Sequence, residues 1–191
     1  MGCNILQNGV CHIPNETKHL FIRIDMKKNF RKNNITEEFV SFAGDVDFVC
    51  YVMNKSREIS DTICYQNLIG HGIKLSEKSA EIHIDFDKLE PDIQCMMFCL
   101  CIFEPQKGFK KLGTINETML CVENAVIRIY DEDTKQEIGH YILSHQTDSK
   151  AVYLGNLEKT YKKWDFKAIE ENIDGDIVGL RTILTNEQHS K

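Results

Sequence analysis

Hydrophobic and polar residues alternate along most of this chain with the period of two that is typical of β-strands. The clearest example is the segment 81–87, where Ile82, Ile84 and Phe86 would point to one face of a sheet. The acidic residues and His83 between them would point to the other face, so the segment predicts a strand with one side in water. Similar short segments, rich in β-branched and aromatic side chains, lie at 19–24, 46–53, 61–65, 125–130, 137–143, 151–154 and 164–169.

Two other patterns complete the predicted architecture. The segment 95–103 is apolar without alternation, which is expected of a strand that is covered on both faces. Helical periodicity is scarce, and 111–123 is the best candidate for a short helix. The polar, acidic segment 131–136 has the composition of a hairpin connection. The sequence therefore predicts an all-β protein, an antiparallel β-sandwich of two sheets built from about eight to ten strands, with one short helix.

Composition narrows the class of protein further. The 191 residues contain only three prolines and no linker-like segment, so we expect a single domain that spans 1–191. With 42% hydrophobic and 27% charged residues the chain can bury a core, and disorder is disfavoured. The net charge of −6 is the wrong sign for a surface that neutralises phosphates, so nucleic acid is not expected as a main partner.

The cysteines and the N-terminus bear on the compartment. Eight cysteines in 191 residues are too few to indicate a small disulfide-bonded scaffold. The first residues lack the basic start and long apolar stretch of a signal peptide. The longest apolar run, 95–103, is also far shorter than the roughly 18 residues that span a bilayer. We therefore expect a cytoplasmic protein with free thiols.

Motifs for catalysis are missing from the sequence. It contains no Gly-x-Ser-x-Gly elbow, no P-loop and no His-Glu-x-x-His motif, so an enzyme is not expected. Glu81, His83, Asp85 and Asp87 alternate along one strand and could mimic an acid–base or metal cluster, but the wet face of a sheet is the favoured interpretation. A second set shares one strand face and is interpreted as core packing rather than as a metal or redox site: Cys95, Cys99 and Cys101.

Several segments carry a resemblance to a known family. Gly155-Asn156-Leu157, a short gap and then Trp164-Asp165-Phe166-Lys167-Ala168 resemble the C-terminal signature of the tellurium-resistance TerD family. The strand at 122–130 and the segment 137–143 after the hairpin are similar to two further family elements. Shorter matches at 45–47 and 65–67 extend the resemblance over about residues 18–184, which we take as the domain core. Members of this family are cytoplasmic β-sandwich proteins that resemble C2 domains, so the resemblance implies the same fold.

The resemblance also implies a cofactor, because typical family members bind calcium at one end of the sandwich. Calcium requires six to eight oxygen ligands, which a cluster of carboxylates supplies most readily. In this chain the family's long acidic loop is replaced by the segment 68–80, which contains two lysines and one glutamate. The residues that could still contribute oxygen ligands are Asp45, Asp47, Asn67 and Asp85. The altered loop predicts that calcium binding is weak or lost.

The resemblance implies a non-enzymatic stress-response protein of the tellurium or chemical-stress resistance type. The alternative is a scaffold or adaptor that binds an unidentified protein partner, or a membrane surface, through its C2-like sandwich. The basic segment 26–33 could contact anionic lipid at the membrane periphery, although a solvated loop is favoured because it holds only four positive charges.

Overall fold

The computed structural model of the protein describes residues 2–6, 8–28, 30–32, 39–41, 46–76, 80–102, 122–143, 149, 151–161 and 163–173. Within these residues the regular secondary structure is β-strand, which confirms the predicted all-β class. The strands in chain order are β1 (Cys3–Ile5), β2 (Val10–His12), β3 (His19–Lys28), β4 (Phe30–Lys32), β5 (Phe39–Ser41), β6 (Val46–Asn54), β7 (Ile59–Ile63), β8 (Ile69–Gly70), β9 (Ile73–Leu75), β10 (Glu81–Asp85), β11 (Ile93–Ile102), β12 (Val122–Asp131), β13 (Glu137–Ile142), β14 (Ala151–Thr160) and β15 (Lys163–Ile173).

The strands form two sheets that pack face to face, as predicted. The seven-stranded sheet has the order β1-β13-β12-β3-β10-β9-β8, and the six-stranded sheet has the order β2-β15-β14-β11-β6-β7. The pairs are antiparallel except at the edge of the larger sheet, where β1 runs parallel to β13. A separate antiparallel pair consists of β4 and β5. The fold is therefore an antiparallel β-sandwich.

The main hydrophobic core lies between the two sheets. Leu20 and Ile22 of β3 and Ile82 of β10 face it from the larger sheet, and each is fully buried. Phe98 of β11 and Phe166 of β15 face it from the smaller sheet, with ring centroids 6.1 Å apart. The alternation in 81–87 thus has the predicted meaning, since its apolar positions pack inward.

The smaller sheet is apolar on both faces. Along β6, Phe48, Cys50 and Val52 belong to the main core, whereas Val49 and Tyr51 belong to a second buried cluster on the opposite face. β11 follows the same rule, because its Met96, Phe98 and Leu100 face the main core and its Met97, Cys99 and Cys101 the second cluster. Burial on both faces is the physical reason why 95–103 shows no alternation.

The prediction of a short helix at 111–123 is wrong for the last two residues of the segment. Val122 and Glu123 are the first residues of β12, where they pair with Lys28 and Lys27 of β3. The rest of the segment lies outside the described residues. Local periodicity could not reveal this pairing, because the partner strand is almost one hundred residues away in the chain.

Two ends of the sandwich can be distinguished. The ring of Phe86, directly after β10, stacks on Trp164 of β15 at a centroid distance of 5.6 Å, and we call this the Trp164 end. At the opposite end of the smaller sheet Asp47 of β6 pairs with Cys101, and Ala151 pairs with the same residue from the other side. We call this the Asp47 end.

Candidate functional site

The predicted calcium ligands are distributed over both ends of the sandwich. Asp85 is the last residue of β10 and pairs with His19 at the Trp164 end. Asp47 lies near the start of β6 at the other end, and the strand extends seven residues beyond it to Asn54, or about 23 Å at the rise of a β-strand. These two carboxylates therefore do not meet in one site. Asp45 lies outside the described residues.

Asn67 sits in the tight link between β7 and β8, where its backbone forms an isolated antiparallel bridge with Cys64. Its side-chain amide nitrogen donates to Asp61 Oδ1 at 2.9 Å and to the Thr62 carbonyl oxygen at 3.1 Å. These bonds hold the link closed over the edge strand. The arrangement gives Asn67 a clear structural role.

The segment that stands in place of the family's acidic loop forms a β-hairpin of β8 and β9. His71 and Gly72 form its turn with φ angles of 50° and 81°, the positive values of a type I′ turn. His71 is held on both sides, by Glu90 at 2.9 Å through Nδ1 and by Asp61 at 3.5 Å through Nε2. The short turn is thus tied to its surroundings by side chains of the hairpin itself and its neighbours.

Asp85 is already engaged by cations. Lys88 Nζ lies 2.6 Å from its Oδ2, and His19 Nε2 lies 3.8 Å from the same oxygen. The hydrogen bond from Lys88 is the main reason why the pKa of Asp85 is lowered. A calcium ion at Asp85 would have to compete with the Lys88 ammonium group. Among the described residues, no cluster of three or more His, Cys, Asp or Glu side chains is arranged to hold a metal ion.

The exposed face of the larger sheet carries a network of charged side chains. Arg128 of β12 bridges Asp25 Oδ2 through Nε at 2.9 Å and Glu137 Oε2 through Nη1 at 2.6 Å. His140 of β13 approaches the other oxygen of Glu137 at 2.8 Å. Burial raises the pKa of Glu137, but the hydrogen bonds from His140 and Arg128 outweigh it, so the net shift is downward. We call this surface the polar face.

Aromatic side chains lie in the middle of the polar face. The rings of Phe21 on β3 and Tyr130 on β12 stack at a centroid distance of 4.6 Å, because Phe21 and Tyr130 are directly paired across the two strands. The Arg23 guanidinium lies over the Tyr130 ring at 5.5 Å, and Lys135 Nζ lies over the Phe21 ring at 5.9 Å. Such cation–π contacts place apolar and cationic surface side by side.

A groove of about 790 Å³ opens beside this aromatic pair towards β8 and β9. Its walls combine three lysines, three carboxylates and two histidines. These are Lys74, Lys88, Lys135, Asp85, Glu132, Asp133, His19 and His83. The three lysines and three carboxylates carry equal and opposite charge.

The histidines of the groove are bound by carboxylates. His19 Nδ1 lies 2.9 Å from Asp133, and this hydrogen bond is the main reason why the pKa of His19 is raised. His83 Nδ1 lies 3.1 Å from Glu132, and Glu81 is 3.8 Å from its other nitrogen. Glu81, His83 and Asp85 share the outer face of β10, as predicted. Asp87, which was predicted on the same strand face, lies beyond the end of β10, where its carboxylate is 3.8 Å from Lys18 Nζ.

Cys95, Cys99 and Cys101 share one face of β11, as predicted, and pack with the second hydrophobic cluster. Cys99 and Cys101 are fully buried. Burial raises the pKa of Cys99 strongly and that of Cys95 to about 12, so these thiols are held neutral. Their positions support the interpretation as core packing.

Sequence reasoning missed the network around Arg128 and the link between Asp61 and His71. A usable signal existed for the first: His19, Phe21, Arg23 and Asp25 occupy alternate positions of β3 and so had to share one face. The second joins Asp61 of β7 to His71 in the two-residue turn between β8 and β9, and such a contact leaves no periodic signal.

Comparison with known proteins decides the family. The TerD domain model matches residues 36–184, well over half of the chain. The chain belongs to the TerD domain family. At the level of the family this supports a stress protein of the tellurium-resistance type. No curated protein matches the chain at a significant level.

Solved structures agree with the fold of this TerD-domain protein. A homologue of a telluride resistance protein (TerD) from Streptomyces coelicolor A3(2) superposes with a TM-score of 0.61 at 12% identity, covering 86% of this chain and 95% of the other. The protein SAV2460, of unknown function, gives a TM-score of 0.62 at 11% identity with the same coverage of each chain. At such low identity these matches concern the fold alone.

The family signature residues of the TerD-domain protein are structural. Phe166 and Ala168 are fully buried in the main core, and Trp164 packs on Phe86 at its edge. Gly155 adopts φ of +156°, and a Cβ added there would lie 2.3 Å from the Lys167 carbonyl oxygen. The signature therefore reports how β14 and β15 pack, and carries no ligand site of its own.

No helix in the described ranges is long and apolar enough to cross a bilayer.

Proposed function

We propose that this protein acts in the cytoplasm as a non-enzymatic, TerD-type stress-response protein whose calcium binding is weak or lost. One observation carries the proposal. In the chain interval of the family's acidic loop, β8 and β9 form a hairpin closed by the two-residue turn of His71 and Gly72. Such a turn provides few oxygen ligands, and the nearby carboxylates of Asp61 and Glu90 lie against the His71 ring, at 3.5 Å and 2.9 Å from its nitrogens.

The state of the other candidate ligands supports the same conclusion. Asp85 is paired with Lys88, whose ammonium group lies 2.6 Å from its Oδ2. Asp47 is at the far end of the sandwich from Asp85. A calcium ion at Asp85 would therefore have to displace the Lys88 ammonium group. A calcium ion at Asp47 would have to find its ligands at the Asp47 end alone.

Isothermal titration of the full chain with calcium tests the proposal. We expect no heat of binding in the micromolar range. The double variant Asp45→Ala with Asp47→Ala is compared with the control Asp92→Ala, whose exposed carboxylate pairs only with Lys55 at 3.6 Å. If the wild type binds calcium in the micromolar range, and if the double variant loses this binding while the control keeps it, the proposal that calcium binding is weak or lost is refuted.

The non-enzymatic part of the proposal is supported by the sequence, which contains no Gly-x-Ser-x-Gly elbow, no P-loop and no His-Glu-x-x-His motif. The resemblance to the TerD family implies the same.

A second candidate function, an adaptor that binds a protein partner, is favoured by the centre of the polar face. Phe21, Tyr130 and Arg23 form a contiguous aromatic and cationic surface, and these residue types are enriched at protein interfaces. Quantitative affinity capture with the wild type and Tyr130→Ala tests it, with Tyr161→Ala as a control at an exposed tyrosine elsewhere. We expect Tyr130→Ala to lose partner proteins that Tyr161→Ala retains. If both variants lose the same proteins, or if neither variant loses any, the result contradicts a role of the polar face.

The membrane version of this candidate rests on the basic segment 26–33. Co-sedimentation with vesicles that contain anionic lipid is its direct test. Co-sedimentation of the protein that decreases with added salt would support membrane binding, and no co-sedimentation at low salt would contradict it.

A further inference from the structure

Two cysteines near the N-terminus lie in contact with each other. Cys3 is in β1, at the edge of the larger sheet, and Cys11 is in β2, at the edge of the smaller sheet. Their sulfur atoms are 3.5 Å apart, about van der Waals contact. A disulfide bond is about 2.05 Å long, so a small approach of the two side chains would suffice to form one.

The structure makes room for both sulfurs at one place. Gly139 of β13 pairs with Cys3, and a Cβ added to it would lie 2.8 Å from Cys11 Sγ and 3.1 Å from Cys3 Sγ. A side chain at this position would therefore push the two thiols apart or displace β1. Because Gly139 has no side chain, the two sulfur atoms share the space beside it.

The two thiols differ in accessibility. Cys3 is exposed, and it is the only exposed cysteine among the described residues, whereas Cys11 is 2% exposed. Burial, the hydrogen bond and charge of Cys3, and the charge of Asp165 raise the pKa of Cys11 to about 12. A reagent in solution therefore reacts with Cys3 first, and the Cys11 thiol is still protonated at that step.

We propose that Cys3 and Cys11 form a reversible redox pair that reacts with low-molecular-weight disulfides. The Cys3 thiolate attacks the reagent disulfide, which forms a mixed disulfide at Cys3 and releases one reduced thiol. Cys11 then loses its proton to solvent and attacks Cys3 Sγ, which forms the Cys3–Cys11 bond and releases the second reduced thiol. In total the protein loses two protons and two electrons, and the reagent disulfide takes up both as it becomes two thiols.

The expected consequence is a covalent link between the two sheets at one edge of the sandwich. β1 and β2 are only three residues each and are joined by a short turn in which Gly9 N donates to the Leu6 carbonyl oxygen at 2.7 Å. Short edge strands detach easily, since they are held by few hydrogen bonds. The disulfide would fix this edge under oxidising conditions and release it under reducing ones.

The test uses the full chain in buffers of oxidised and reduced glutathione, with acid quenching, alkylation and mass spectrometry of the peptides. We expect the wild type to form the Cys3–Cys11 disulfide without accumulating a mixed disulfide. Cys11→Ser should accumulate glutathione on Cys3, and Cys3→Ser should leave Cys11 unmodified. The control Cys95→Ser, at a half-buried thiol outside the pair, should behave as the wild type.

The same equilibrium measured in denaturant shows whether the disulfide forms because the fold holds the two sulfurs together or only because the two cysteines are close in sequence. The equilibrium constant for the disulfide against glutathione should be at least about tenfold larger in the native chain than in the unfolded one, because folding holds the sulfurs in contact. Equal constants, or a glutathione adduct that persists on Cys3 of the native wild type, would overturn the proposal.

Discussion

At the scale of single residues, contacts that the chain makes across strands decide the role of each side chain. Asp85 could be assigned to the wet face of β10 from the alternation alone. That Lys88 would occupy its carboxylate could not be predicted, because the contact depends on how the turn after β10 folds back. The same holds for Asn67, whose amide closes the link after β7.

Gly155 provides the sharpest prediction at this scale. The change Gly155→Ala should lower the free energy of unfolding by about 2–5 kcal/mol, since it adds strain at a positive φ and a clash with backbone. Urea denaturation measures the loss. Lys163→Ala, at an exposed position of β15, should change stability by less than about 0.5 kcal/mol. Similar losses in both variants would contradict the assigned role of Gly155.

His19 gives a prediction about pH. Its pKa is raised, chiefly by the hydrogen bond with Asp133, so the imidazolium form is favoured in the folded state. The pair therefore stabilises the fold below the ordinary histidine pKa, and this contribution is lost as the pH rises through the folded value. A proton NMR titration should show the raised midpoint, and Asp133→Asn should lower it. An unchanged midpoint in the variant would show that Asp133 is not the cause.

At the scale of elements, the long strands were predictable and the short ones were not. The segments of alternation correspond to β3, β6, β10, β12 and β13. Of these, β3, β10, β12 and β13 bury one face, whereas β6 is buried on both faces. β1, β2, β8 and β9 have only two or three residues, too few to show a period. The predicted strand at 61–65 begins earlier and ends at Ile63, because Cys64 and Asn67 close a tight turn.

The hairpin of β8 and β9 carries the element-scale prediction. Gly72 has φ of +81°, and a Cβ added there would lie 2.9 Å from the Lys88 carbonyl carbon. Gly72→Ala should therefore cost about 1–3 kcal/mol of stability, measured by urea denaturation. Lys74→Ala, exposed on β9, is the control and should be close to neutral. A neutral Gly72→Ala variant would mean that the turn does not require a left-handed residue.

At the scale of the whole molecule, the β-sandwich scaffold of the TerD family is present, and we propose that its calcium binding is weak or lost. The signature residues Phe166 and Ala168 pack in the core, so the fold can be maintained whether or not a metal binds. The net charge of −6 does not by itself indicate a calcium site, because carboxylates of the polar face such as Asp25, Glu132 and Glu137 already lie beside arginine or histidine side chains. Family membership and fold were therefore predictable from sequence, whereas the surroundings of Asp47, Asn67 and Asp85 required the structure.

The most direct test of the central claim is the melting temperature of the full chain in calcium and in chelator, with magnesium as the matched control ion. Calcium at about 1 mM, a thousandfold excess over a micromolar Kd, would stabilise a binding protein by about 4 kcal/mol. For a chain of this size that corresponds to a rise of about 8–16 °C. We predict a calcium-specific rise below about 2 °C, as a weak or lost site would give. A rise of 8 °C or more with calcium, and none with magnesium, would contradict the account.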